Sequence, residues 1–511
     1  MNSTRLIVVF AVWAAAFVAC AGGGGGGPAS AGSTGTGPQT GSGGGGSGGS
    51  GIGGPVDAGG TTGTGSGGVG GGAATAGHGA GGVSAGSGGG GVGGSAAGGA
   101  AGAGGQAGAG AAPGGVGGGA ASGGRGGGGV SGGSGGAGAG SEPEVVAGCG
   151  TTKLYKNPDD VSMPGPWPVG VKTLQVPIGG VTAAVEIWYP AVRGSEAGKG
   201  KKTYDLTKWL WNDASKIPAA SNRIAECDCY TDLPIDTAHG PYPGVIFIHG
   251  TGSFRVANGS TMTHWASRGF VVVAADHWGL YLSDFIGCPG KPASVAQDLA
   301  RDVDALIQGM TEKSGGFAFL GASIDMTRIG IGGHSQGGQA AGSMGNKTNV
   351  QVVLPFAQLG SAAVTMSSNT KSSLFLCGKA DTVTMFSASQ AGFNATRTTK
   401  KRLVGIAAGN HMDVTDLCAE KNSEGKLAIQ VAAENLVCNP LTLTVLAGLA
   451  QCGTMPDPTK GPAIAKYVSV AALEETLHCQ DRSAAVDGHQ FPRKSDRRGR
   501  GDHLAFLGAG G

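Results

Sequence analysis

The chain has 511 residues, 107 of them glycine, and its 35 Lys and Arg nearly balance 33 Asp and Glu for a formal charge of +2. That balance argues against nucleic acid as a partner. The length does not translate into several domains either, because the glycine is concentrated between residues 21 and 148.

In chain order, Arg5 is followed by an apolar run over residues 6–19. The run is too short to span a bilayer and has the length of a signal-peptide core. It ends Phe17-Val18-Ala19-Cys20 before a run of glycines. This resembles the lipobox of bacterial lipoproteins, in which the cysteine is acylated and becomes the new N-terminus; Phe17 stands where that motif favours leucine. Residues 1–20 therefore predict a signal peptide with Cys20 as the lipidation site, ordinary secretion being the alternative. Either route places the protein outside the cytoplasm, anchored to a membrane in the first case.

Residues 21–148 are nearly all Gly, Ala, Ser and Thr. Such a segment cannot bury enough surface to offset its ordering entropy. It predicts a disordered tether with an rms reach of roughly 60 Å. Beyond Cys20 there are nine cysteines. Cys377, in Leu374-Phe375-Leu376-Cys377, reads as a buried core thiol, and the other eight predict four disulfides of open connectivity. They are expected to concentrate in two irregular regions, 195–241 and 418–458. No metal site is expected from Cys227-Asp228-Cys229, which lacks a second matching pair.

Residues 149–480 form the expected folded domain. Residues 171–176 and 181–189 predict an opening hairpin across Gly179-Gly180. The 195–241 stretch, with Trp209, Trp211, Cys227 and Cys229, reads either as an insertion near a site or as a surface excursion pinned by disulfides. The continuous apolar run 244–250 suits a buried central strand. A helix over 261–268, a strand over 270–275 and a helix over 295–310 follow. Strands are expected at 350–356, 373–378 and 402–407, and a closing helix at 461–477. The alternation predicts an α/β domain with a doubly wound, mostly parallel sheet. The tail 481–511, with Arg493, Lys494, Arg497, Arg498 and Arg500, reads as basic and disordered.

The chemistry centres on Gly333-His334-Ser335-Gln336-Gly337, which follows a strand-like run from Ile329 and opens a small-residue segment able to start a helix. This is the G-x-S-x-G spacing of a nucleophile elbow, in which a strained turn projects the serine hydroxyl. A serine needs a base, and the base needs an acid, in the chain order Ser, acid, His. His411 is the first histidine after Ser335 and Asp381 the only acid between them, and the later His478, His489 and His503 sit in or beyond the final helix. Each follows a predicted strand. An oxyanion hole needs two amides; Gln336 at the helix start and Thr251 in His249-Gly250-Thr251-Gly252 are the expected donors. His249 is expected to brace that turn, and His277 to structure a loop.

Val169-Gly170-Val171-Lys172, Glu186-Ile187-Trp188-Tyr189-Pro190, His249-Gly250-Thr251-Gly252-Ser253-Phe254-Arg255 and the elbow together resemble the platelet-activating factor acetylhydrolase and dienelactone-hydrolase-like branch of the α/β-hydrolases, which includes bacterial polyester hydrolases. The resemblance implies an α/β-hydrolase fold and ester hydrolysis through an acyl-enzyme, without metal or organic cofactor; the protein is expected to be a monomer. Two departures qualify it. No acid follows 350–356, where acetylhydrolases place theirs, so Asp381 must serve; and the nucleophile is serine rather than the cysteine of dienelactone hydrolase. The expectation is a serine esterase with Ser335, His411 and Asp381 as triad, acting on phospholipid acyl esters, polyesters or small esters. The alternative is a surface-anchored binding protein that keeps the fold without turnover.

Overall fold

The structure, a computed structural model, describes residues 142–289, 296–452, 455–486 and 504–506. The readings of residues 1–20, of Cys20, of residues 21–141 and of the tail cations lie outside these residues. At the centre is a mixed sheet of β1 (Val169–Ile178), β2 (Val181–Pro190), β3 (Tyr230–Thr231), β4 (Tyr242–Ile248), β5 (Val271–Ala275), β6 (Ile324–His334), β7 (Val350–Phe356), β8 (Ser372–Gly378), β9 (Lys400–Ile406) and β10 (Leu504–Phe506). The order across it is β10-β9-β8-β7-β6-β4-β5-β2-β1-β3. From β9 to β5 every neighbouring pair is parallel, whereas β2 opposes both its neighbours and β10 opposes β9.

The helices divide between the two faces because the central strands are apolar on both. Val245 and Phe247 of β4 join a core with Trp265 of α1 (Gly259–Ser267). Ile246 and Ile248 face the opposite core, with Val303 and Met310 of α2 (Leu299–Glu312), Ala341 of α3 (Gln336–Ser343) and Phe393 of α4 (Phe386–Ala395). A continuous apolar run is what burial on both faces demands. The chain runs from β4 outward to β5 and returns to β6 on β4's other side. This reversal is a topological switch point, where open α/β sheets bind ligands at the strands' C-terminal ends.

The first core also takes in two cap helices, α5 (Ala428–Glu434) and α6 (Pro440–Leu449), and the closing α7 (Lys460–Leu477). Trp265 Nε1 donates to Ser469 Oγ at 2.9 Å, joining α1 to α7. Arg268, fully buried, donates Nε to Glu474 Oε1 at 2.6 Å and its other nitrogens to the carbonyls of Met163 and Pro158. A buried cation is tolerated when its donors are filled in this way.

Several boundaries differ from the sequence reading. α2 begins at Leu299 because the Asp298 side chain accepts from the Arg301 amide and caps it; Val295 lies outside the described residues. Val145–Ala147, within 21–148, pairs with Lys153–Tyr155, so regular structure begins before Cys149. The tail is not wholly irregular. Ser483–Val486 is a helical turn capped by Asp481, and Leu504–Phe506 pairs with Val404–Ile406, filling the hydrogen bonds of a sheet edge. The region 195–241 holds a small hairpin (Thr203–Asp205 with Ile224–Glu226) and a 3-10 stretch, Leu206–Lys216, capped by Asp205.

Four disulfides join Cys149–Cys479, Cys227–Cys229, Cys288–Cys438 and Cys418–Cys452, and Cys377 is the buried free thiol. Their expected concentration in the two irregular regions needs correcting. Cys227–Cys229 and Cys418–Cys452 lie within those regions, but Cys149–Cys479 joins the two ends of the domain and Cys288–Cys438 ties the α5–α6 connection to the segment after β5.

Candidate active site

β6 ends at His334, and Ser335 follows with φ 57° and ψ −121° as the residue before α3. A non-glycine residue in this region is strained, and the surroundings hold it there. The Ser335 amide donates to the Phe356 carbonyl at 2.9 Å while its carbonyl accepts from Gln339. The two flanking glycines allow close crossing. A Cβ on Gly333 would overlap the Gly337 carbonyl, and one on Gly337 the Ile248 carbonyl at the end of β4.

His411 stands in the loop after β9, with Nε2 3.0 Å from Ser335 Oγ and Nδ1 2.9 Å from Asp381 Oδ2. With a carboxylate beside Nδ1, that nitrogen carries the proton, and Nε2 turns its lone pair to the serine hydroxyl. Asp381, after β8, also accepts from the Val383 and Thr384 amides at 2.8 Å. Burial pushes its carboxyl up, but the hydrogen bond and charge of His411 and the bonds from Thr384 outweigh this and hold it below the usual range. The structure thus brings Ser335, His411 and Asp381 into one hydrogen-bonded line.

Thr251 follows β4 in the turn that faces the elbow. The amides of Thr251 and Gln336 donate to no acceptor among the described residues. Their side chains are tied together, Thr251 Oγ1 donating to Gln336 Oε1 at 2.7 Å and Gln336 Nε2 to Gln297 Oε1 at 2.7 Å. The turn is set from behind by His249, whose Nδ1 donates to the Gly250 carbonyl at 2.9 Å and whose Nε2 accepts from the His277 amide at 3.1 Å. Burial lowers its pKa to about 3, so the ring is neutral and fits both roles. His334, lowered to about 3 by burial and by His411, donates Nε2 to the His411 carbonyl at 2.9 Å and fixes that loop. His277 packs Nδ1 3.1 Å from Asp302.

Three features escape the sequence reading. Thr384 Oγ1 donates to Asp381 Oδ2 at 2.7 Å and lies 3.1 Å from His411 Nδ1. The available signal was the spacing Asp381-Thr382-Val383-Thr384, an aspartate able to accept from amides two and three residues on. The Gln336–Gln297 contact spans 39 residues and left none. The third is a charge network behind the turn: Arg255 pairs with Asp276 and, at 3.2 Å, with Glu186, which also accepts from Lys202 at 2.7 Å.

Ser335 and His411 open into an apolar pocket of ≈110 Å³, walled by Leu206 and Leu210 from the 195–241 region and by Leu443 and Leu446 of α6. Both irregular regions therefore reach the site. A larger groove of ≈820 Å³ is lined by neither Ser335 nor His411, and chemistry favours the smaller space. Among the described residues no group of three or more His, Cys, Asp or Glu is placed to hold a metal ion.

Two family models match the chain. Residues 162–280 match platelet-activating factor acetylhydrolase, isoform II, and residues 232–365 match chlorophyllase. Both are α/β-hydrolase families, and the sheet order and elbow described above are those of that fold. The chain is an α/β-hydrolase. A search of curated proteins found no match. The two matches, each over about a quarter of the chain, support the acetylhydrolase and dienelactone-hydrolase-like branch, and both matched families act on esters. Both end before Asp381 and His411, so those two residues of the hydrolase rest on geometry. After β7, where acetylhydrolases place the acid, this hydrolase carries Gln358, buried and bonded to the carbonyls of Gly360 and Ala362.

Proposed function

We propose that this hydrolase is a serine esterase that works outside the cytoplasm and cleaves carboxylic esters through an acyl-enzyme. The supporting observation is the line Ser335 Oγ–His411 Nε2–Asp381 at 3.0 and 2.9 Å, on a strained serine flanked by unengaged amides. His411 takes the hydroxyl proton as Oγ attacks the ester carbonyl. The new oxyanion is held by the Thr251 and Gln336 amides, and Asp381 stabilises the imidazolium. Collapse expels the alcohol, which takes its proton from His411. A water then repeats the sequence on the acyl-serine and frees the acid. No step calls for a metal or organic cofactor.

The export reading is part of the proposal: residues 1–20 direct secretion, Cys20 carries the lipid anchor, 21–148 tethers a monomeric domain, and four disulfides favour an oxidising compartment. The test is fluorophosphonate labelling of the wild type and Ser335→Ala beside p-nitrophenyl ester hydrolysis. The wild type labels and turns over. The variant does not label, and its turnover falls to roughly 10³–10⁴-fold over water. A folded wild type that neither labels nor hydrolyses would favour a binding protein instead; a Ser335→Ala variant with near-normal turnover would remove the mechanism.

A further inference from the structure

Resting on the esterase reading, we infer that the site selects esters of medium-length aliphatic acids, and that Leu446 of α6 sets the length of acyl chain accepted. The reaction geometry assigns the two sides of the ester. The alcohol must leave beside His411, which protonates it. The carbonyl oxygen faces the Thr251 and Gln336 amides. On that assignment the acyl chain takes the side of the pocket past Gly252, away from His411.

That side is apolar. Leu206, Leu210, Phe254, Leu282, Leu443 and Leu446 surround it. Leu446 stands directly on the turn, its Cδ1 3.1 Å from where a Cβ on Gly252 would be, with Phe285 alongside at 3.5 Å. Gly252 has φ +66° and carries no side chain to push α6 away. Among the described residues lining the pocket, Glu420 is the only carboxylate and no Lys or Arg is present; Glu420 is held by Arg223 at 2.7 Å. The walls thus offer an anionic headgroup no cation, and an alkyl chain finds contact on every side.

The pocket has ≈110 Å³ of space, and one water needs about 10–15 Å³ of such space, so it holds roughly seven to eleven water- or methylene-sized groups. An acetyl group fills little of it. Each added methylene that enters should raise kcat/KM about fourfold, the gain from burying one CH₂, until the chain meets the far wall.

The experiment is a p-nitrophenyl series from acetate to palmitate on the full chain, for the wild type, Leu446→Ala and Leu446→Trp, with decanoate binding measured by calorimetry for each. The wild type should climb from acetate to an optimum near octanoate and fall by palmitate. Leu446→Trp should lower the octanoate-to-acetate ratio at least tenfold and weaken decanoate. Leu446→Ala should move the optimum to longer chains. Should the tryptophan variant not fold, the alanine shift alone decides. Active enzymes with the same octanoate-to-acetate ratio in all folded variants would overturn the inference. Absent hydrolysis with decanoate binding that still depends on residue 446 would retain the pocket and remove the esterase reading; absent hydrolysis and no such dependence would remove both.

Discussion

Thr384 has one hydroxyl proton and three neighbours: Asp381 Oδ2 at 2.7 Å, the Ala357 carbonyl at 3.1 Å and His411 Nδ1 at 3.1 Å. The shortest contact takes the proton, so the oxygen is left facing the N–H of His411. Thr384 is therefore a positioning residue that holds acid and base together and ties both to the end of β7. Thr384→Val keeps the shape and removes the hydroxyl. A hydrogen bond to a charged group is worth about 1.5–3 kcal/mol, so kcat should fall roughly tenfold to a hundredfold with KM little changed. Restoration by Thr384→Ser, with no such recovery for Thr384→Ala, would mark the hydroxyl as the cause; equal kcat in the valine variant and the wild type would remove the role. At this scale the sequence was informative where chemistry is local. Ser335, Asp381 and His411 could be ordered because Asp381 is the only acid between the elbow and His411. Thr384 and Gln297 could not, since a hydroxyl or an amide acquires its meaning only from what the fold brings beside it.

The same distinction holds between elements. The strands buried on both faces, β4, β7 and β8, announce themselves as unbroken apolar runs. The cap helices do not. Helix α6 is apolar on nearly every side, from Leu443 in the core to an exposed Leu441, so no period marks its inner face. Its start carries a signal the sequence reading did not use, Asn439-Pro440, where the asparagine accepts from the Leu441 and Thr442 amides and proline takes the first turn. What holds the cap over the pocket is covalent: Cys438, between α5 and α6, is bonded to Cys288, and Cys418–Cys452 closes the base. Removing Cys288–Cys438 as a double alanine variant should cost about 2–4 kcal/mol and lower octanoate hydrolysis more than acetate hydrolysis. The Cys149→Ala/Cys479→Ala pair should cost similar stability and leave the ester ratio alone, because that bridge lies at the domain's ends. Matching ratios in the two double variants would mean the cap needs no tether to shape the pocket.

For the molecule as a whole, buried imidazoles dominate the response to acid. His249, His264, His334 and His478 are each brought down to about 3, burial being the leading cause. Each is built in as a neutral ring: His264 Nε2 lies 2.9 Å from the Val161 carbonyl, and His478 stacks on Phe270 while donating to the Gly269 carbonyl. In the unfolded chain a histidine titrates near 6.5. Below that pH the unfolded state binds protons the folded state refuses, so stability is full above about 6.5 and is lost as pH falls toward about 3. Asp276 and Asp416, raised by burial, act in the opposite sense and stabilise as pH falls. Each imidazole takes away about 1.4 kcal/mol per pH unit well below 6.5, and the two carboxyls offset part of that loss. Urea midpoints at pH 7.5, 6.0 and 5.0 should therefore drop steeply, above the pH at which ordinary carboxylates titrate. His264→Gln and His478→Gln, both remote from Ser335, should each flatten the slope by one proton. A midpoint constant from pH 7.5 to 5.0 would mean these rings accept protons in the folded state, and that their burial is less complete than the packing around Phe270 and Val161 implies.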